Sequence, residues 1–178
     1  MYNRAVAFDL PAAKLERLRD RLRDRGREHQ SMLIPSAAPN VVEAVEFVEG
    51  YADICQVMYL MMVVDGRVLN VEREVLRGAL DILSGGSVRT AHMDALLDAS
   101  ARHVARCGAE SLLGRAIESL RGDEVKAETT VVLAAVVAVA DEVIKPEEQA
   151  LLTRLAREFG IEESRASQLL EELSANLK

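Results

Sequence analysis

The feature of this sequence that most limits its possible folds is a doubling. The stretch Met62-Val63-Val64-Asp65-Gly66-Arg67-Val68-Leu69-Asn70-Val71-Glu72 returns, 76 residues later, as Ala138-Val139-Ala140-Asp141-Glu142-Val143-Ile144-Lys145-Pro146-Glu147-Glu148. Each copy holds an apolar run, an Asp, an aliphatic residue three positions on and a Glu seven positions on, and Leu76 and Leu152 then open an apolar stripe. Two copies are too few for a solenoid, which needs about three or more repeats to bury a continuous core. They imply a compact, pseudo-symmetric bundle whose two central elements pack side by side.

Those central elements read as helices. Residues 41–64 contain no proline and a single glycine, Gly50, and Asn40 with Glu43 makes a capping-box pattern at the start. Residues 58–64 are apolar on every side, the pattern of a buried helix. The second central run, 123–140, could be mistaken for a strand in its valine-rich part, but it is too long for a typical strand and lies between helical patterns. Further helices are expected over 70–83, 90–106, 109–121, 146–160 and 162–175, punctuated by Gly85-Gly86, Gly108, Gly122 and Gly160, with Pro146 in a first helical turn. No segment alternates in the manner of a strand between hairpin turns. The class is all-α, with about seven helices behind an N-terminal helical arm. Aromatic residues are only 3% of the chain, so the core is aliphatic, and Met58, Met61, Met62 and Met93 are expected to fill it.

The arm differs from the rest. Residues 11–30 carry seven basic and four acidic side chains, a balance of +3 in a chain whose net charge is −7. Leu15, Leu18 and Leu22 make one narrow apolar stripe, too short for a coiled coil. The stripe either lies on the main body or docks a partner or a second copy. Pro35 and Pro39 mark a linker, so the expected division is 1–39 for arm and linker and 40–178 for the helical domain. Deleting 1–39 is expected to leave a cooperatively folding domain. The acidic balance argues against nucleic acid, which needs a positive surface. Cys55 and Cys107 read as reduced, buried thiols, residues 1–10 lack the pattern of a secretory leader, and the longest apolar run, 131–140, is about half a bilayer span. A cytoplasmic protein without a transmembrane segment is expected.

The acids of the repeat have a structural explanation. Asp65 and Asp141 fall where a helix ends and the macrodipole is negative, so each needs compensation, and an Asx-type turn supplies it. Val68 and Ile144 are expected to plug into the core. Glu72 and Glu148 fall in the first turn of the next helix, where a Glu reaches back to the cap. Glu142 is not a glycine and pays a steric cost in the left-handed conformation open to Gly66, so the second loop is expected to turn differently.

This paired pattern, over roughly 41–177, resembles the TerB-like (tellurite-resistance) family. The resemblance implies a helical fold, an association with chemical-stress resistance, and no established enzymatic activity. It also implies divalent-cation binding through acidic residues, with Asp65, Glu72, Asp141 and Glu148 at the motif positions. In this chain Glu142 stands in place of the usual Gly, and Leu69 and Lys145 stand where Ser or Thr caps are common. The candidate metal set is therefore Asp65, Glu72, Asp141, Glu142 and Glu148, with Glu74 or Glu147 as further oxygen donors, and Ca²⁺ or Mg²⁺ as the ion. The loops are not EF-hands, because Arg67, Leu69, Val143 and Lys145 occupy ligand positions. None of His29, His92 and His103 follows a Glu by three residues, which excludes the di-iron carboxylate pattern. The resemblance points to a non-catalytic stress-response or interaction protein, with a protein partner or self-association expected. The rivals are a metal-free helical adaptor and a Mg²⁺-dependent enzyme, and the enzyme lacks a nucleophile, a poised base and a phosphate-cradling loop.

Overall fold

The structure, a computed structural model, describes residues 8–31, 41–85 and 90–176; for 29–31, 41–49, 173–174 and 176 it describes the backbone alone. Among the described residues there are helices α1 (Ala12–Ser31), α2 (Val41–Val63), α3 (Asn70–Leu83), α4 (Thr90–Cys107), α5 (Ala109–Leu120), α6 (Glu124–Ala138), α7 (Pro146–Phe159) and α8 (Glu163–Asn176), and no strand. Caps and glycines set these ends within two residues of expectation. Asp123 accepts the Lys126 N–H at 3.0 Å and starts α6, Pro146 opens α7, and Gly160 ends α7 in the left-handed conformation. The Asn40 cap and the linker 32–40 lie outside the described residues.

Helix α6 is the axis of the fold. Every residue from Val131 to Ala140 is buried, and α6 touches α1, α2, α3, α5, α7 and α8. Burial on all sides holds a valine-rich stretch helical against the mild preference of β-branched residues for strands. The small side chains Ala134, Ala135 and Ala138 let the neighbours approach. Helix α2 packs on α6 through its second half, where Ile54, Val57, Met58, Met61 and Met62 are buried. The two apolar central helices expected from the repeat are therefore packed together. Met93 is also in the core.

Helix α1 is laid on this body. Leu15, Leu18 and Leu22 are buried in the same core as α2 and α6, each contributing about 1.5–3 kcal/mol of transfer free energy. Arg19 is buried too, and its guanidinium donates to the Val139 carbonyl at 3.1 Å, where α6 ends. Helices α1 and α3 cross backbone to backbone at Gly26 and Gly78: a Cβ on Gly26 would overlap the Glu74 carbonyl, and one on Gly78 the Leu22 carbonyl. Ahead of α1, the Phe8 N–H donates to Thr153 at 3.2 Å, and Gln149 donates to the Phe8 carbonyl at 2.6 Å. The leucine stripe thus faces inward, as the first of its two sequence readings has it.

One cysteine expectation needs correction. Cys55 is buried in α2, and burial pushes its thiol up to about 12. Cys107 is exposed, because it is the last residue of α4 and the chain leaves the helix there through Gly108 at positive φ.

Candidate functional site

The two copies of the repeat form two loops, 64–69 between α2 and α3 and 139–145 between α6 and α7. Each is built on the same two local bonds and the same left-handed turn. The Asp65 carboxylate accepts the Arg67 N–H at 2.9 Å, and the Asp141 carboxylate accepts the Val143 N–H at 3.3 Å, both as Asx turns. Gly66 has φ +80° and Glu142 has φ +73°, so both chains turn through the left-handed region. The Glu72 carboxylate then accepts the Leu69 N–H, and the Glu148 carboxylate the Lys145 N–H, each at 2.7 Å. These bonds satisfy the residue before each helix from its third position, half of a capping box. The other half is missing, since neither a leucine nor a lysine side chain can accept a hydrogen bond.

Two expectations fail here for identifiable reasons. The second loop does not turn differently: Glu142 adopts the left-handed conformation despite its Cβ, because Asp141 before it and Glu148 after it fix the same path that Gly66 follows freely. Val68 and Ile144 do not plug into the core. They are 46% and 37% exposed, and Val143 is 62% exposed, because 67–69 and 143–145 are short extended connections that run over the surface.

The loops also meet each other. The Lys145 ammonium donates to Asp65 of the other repeat and to Asp141 of its own, the second bond at 3.1 Å. This joins residues 80 positions apart in the sequence. The bonds to Asp65 and then Asp141 hold the Lys145 amine above its usual range. The same ammonium, followed by the Arg67 N–H, holds the Asp65 carboxyl below its own. Behind this pair, Glu72 and Glu148 are each only 2% exposed. Desolvation pushes the Glu72 carboxyl up to about 7 against the pull of the Leu69 N–H, with smaller additions from Glu148, Asp65 and Asp141. Burial also raises Glu148. Four of the five expected acids are therefore gathered at one end of the two central helices. Glu142 is exposed on the outside of its turn.

A divalent ion would need about six to eight oxygen ligands. Here the two aspartate oxygens that converge already face an ammonium, and the remaining bonds of the four acids go to loop N–H groups. Among the described residues no group of three or more His, Cys, Asp or Glu side chains is arranged to hold a metal ion. In this arrangement the residues do not fit a Ca²⁺ or Mg²⁺ site. Sequence reasoning missed the role of Lys145. Its one local signal is the Asp141–Lys145 spacing of four, and the decisive partner, Asp65, becomes visible only when the loops are placed side by side.

The family profile described as "Tellurite resistance protein TerB" matches residues 52–171, about two thirds of the chain, and both loops lie inside the match. The chain belongs to the TerB family. Helix α1 lies outside the matched region, although it packs on TerB helices α3 and α6. No curated protein and no solved structure matches the chain. No helix among the described residues is long and apolar enough to cross a membrane.

Proposed function

We propose that this TerB-family chain is a non-catalytic, cytoplasmic stress-response protein that works by binding another protein through its paired-loop end. The observation that carries this reading is the placement of exposed apolar surface. Among the described residues four large hydrophobic side chains are exposed, and three of them, Val68, Val143 and Ile144, sit on the two loops of the repeat. Beside them Asp65, Arg67, Lys145 and Glu147 line a shallow polar depression between the loops. Exposed apolar side chains beside charged ones are the mix found at protein-docking patches. The acids support this role indirectly. Each motif carboxylate accepts a loop N–H or an ammonium, so the loops are held in one shape before a partner arrives, which lowers the ordering cost of binding. A carboxylate committed in this way is a poor general base, which favours binding over catalysis.

A photo-crosslinking residue at Val143, compared with one at Val125, tests the proposal in cells under tellurite stress. Val125 is also exposed, at 72%, but lies in the first turn of α6, at the opposite end of that helix. The expected result is a discrete protein adduct from position 143 and none from 125. Equal labelling from both positions, or none from 143, rejects the reading.

A further inference from the structure

The acidic junction holds an ammonium at the point where its two repeats meet, and the placement of that ammonium is otherwise unfavourable. Lys145 stands immediately before α7, at the positive end of that helix's macrodipole, where a cation is disfavoured. Asp65 and Asp141 stand just past the ends of α2 and α6, at the negative end, where a carboxylate is disfavoured. Each of the three charges is misplaced with respect to its own helix; the ammonium compensates both carboxylates, and they compensate it. The first loop has Leu69 where the second has Lys145, so the pseudo-symmetric pair contains one ammonium rather than two. That ammonium reaches across the pair, and the Asp65 side chain it meets is almost fully buried. Glu72 and Glu148 lie behind the aspartates, so a junction without Lys145 would gather four carboxylates with only the exposed Arg67 guanidinium, a weaker influence on Asp65, nearby.

We propose that the Lys145 ammonium is the built-in cation of the paired loops: it occupies the point between Asp65 and Asp141, so the native junction forms without a divalent ion, and removing the ammonium makes the junction respond to one. The consequence is a TerB domain whose fold is indifferent to Ca²⁺ and Mg²⁺. The inference stands apart from the docking proposal, since it concerns what holds the loops and not what they meet.

The test is thermal melting of the full chain as wild type, Lys145→Leu, Lys145→Arg and Lys145→Leu with Asp141→Asn. Each is measured in EDTA and then in 10 mM Ca²⁺ or Mg²⁺. Lys145→Leu gives the second loop the side chain that Leu69 gives the first. Wild type is expected to melt at the same temperature in all three conditions. Lys145→Leu is expected to lose about 5 °C in EDTA and to regain several degrees in Ca²⁺, by mass-action linkage. Lys145→Arg keeps a cation and is expected to stay unresponsive. In the double variant the response to Ca²⁺ should disappear. If Lys145→Leu does not fold in EDTA, its recovery of helical circular dichroism on adding Ca²⁺ is read instead. A wild type that is stabilised by either ion overturns the proposal, and so does a Lys145→Leu protein that neither ion stabilises or refolds.

Discussion

The crossing of α1 and α3 gives the sharpest mutational expectation. Gly26 and Gly78 approach each other reciprocally: a Cβ on Gly26 would lie 2.8 Å from the Glu74 carbonyl carbon and 3.1 Å from the Gly78 nitrogen. One on Gly78 would lie 2.7 Å from the Leu22 carbonyl carbon and 3.1 Å from the Gly26 nitrogen. Non-bonded carbons pack at about 3.5–4.0 Å, so either alanine must drive the helices apart by roughly 1 Å. Backbone cannot rotate out of the way as a side chain can. A gap of that size forfeits about a quarter to a half of each dispersion contact across the extensive α1–α3 interface. Overpacking of this kind costs about 1–3 kcal/mol, and the upper end applies here because the obstacle is main chain. For a chain of this size that is a fall in melting temperature of roughly 6–12 °C. The double variant Gly26→Ala/Gly78→Ala should lose much less than the sum of the singles, because one separation of the helices relieves both overlaps. The assay is urea and thermal unfolding by circular dichroism. Either single variant lying within about 0.5 kcal/mol of wild type, or strict additivity in the pair, would refute the close crossing. Deleting residues 1–39 probes the same interface more coarsely, and a domain that folds cooperatively but melts lower is the expected product.

Two further predictions concern the loops. Glu142→Gly should raise stability by about 0.5–1 kcal/mol, because it removes a left-handed non-glycine residue at some cost in unfolded-state entropy, whereas Gly66→Ala should lower it by a similar amount; equal effects of the same sign in urea unfolding would contradict the shared turn. Glu72→Gln keeps the acceptor for the Leu69 N–H and removes a buried charge whose folded pKa lies near 7, above its ordinary 4.5. The native state therefore binds the extra proton between those values, so this carboxyl's contribution is fully present below about 4.5 and is lost as pH rises through 7. The variant should match wild type at pH 4.5 and exceed it by about 1–3 kcal/mol at pH 8, and an advantage that is flat with pH would exclude the buried charge as its cause.

What the sequence made legible was local. The helix ends follow from glycines, Pro146 and Asp123, and the Asx turns and back-reaching glutamates span only two or three residues, so residue type and spacing reveal them. The central packing of α2 on α6 was also legible, because an all-round apolar helix has nowhere else to go. What was not legible depended on partners far along the chain. Lys145 looked like a departure from a Ser or Thr cap until the loops were set side by side. The aliphatic residues at 68 and 144 looked like plugs because aliphatic side chains usually are, yet the extended path from Asp to Glu leaves them outside. Gly26, within a charged helix, carried an unread signal: a helix-interior glycine costs about 1 kcal/mol relative to alanine, so its presence points to a close approach. Glu142 shows the reverse case, in which the loop's fixed ends impose a conformation its own side chain opposes.

The central claim is that the doubled motif closes on itself through Lys145, which reaches Asp65 of the other repeat, 80 positions away in the sequence. A double-mutant cycle on Asp65→Ala and Lys145→Ala tests it most directly, with Arg165→Ala as a control that engages Glu128 elsewhere on the molecule. The melting temperatures of the two single variants and the double variant are compared in the same buffer. The account predicts strong coupling: once either partner is gone, removing the other should change the melting temperature little, while Arg165→Ala adds independently to Asp65→Ala. Additive losses for Asp65 and Lys145 would contradict the junction.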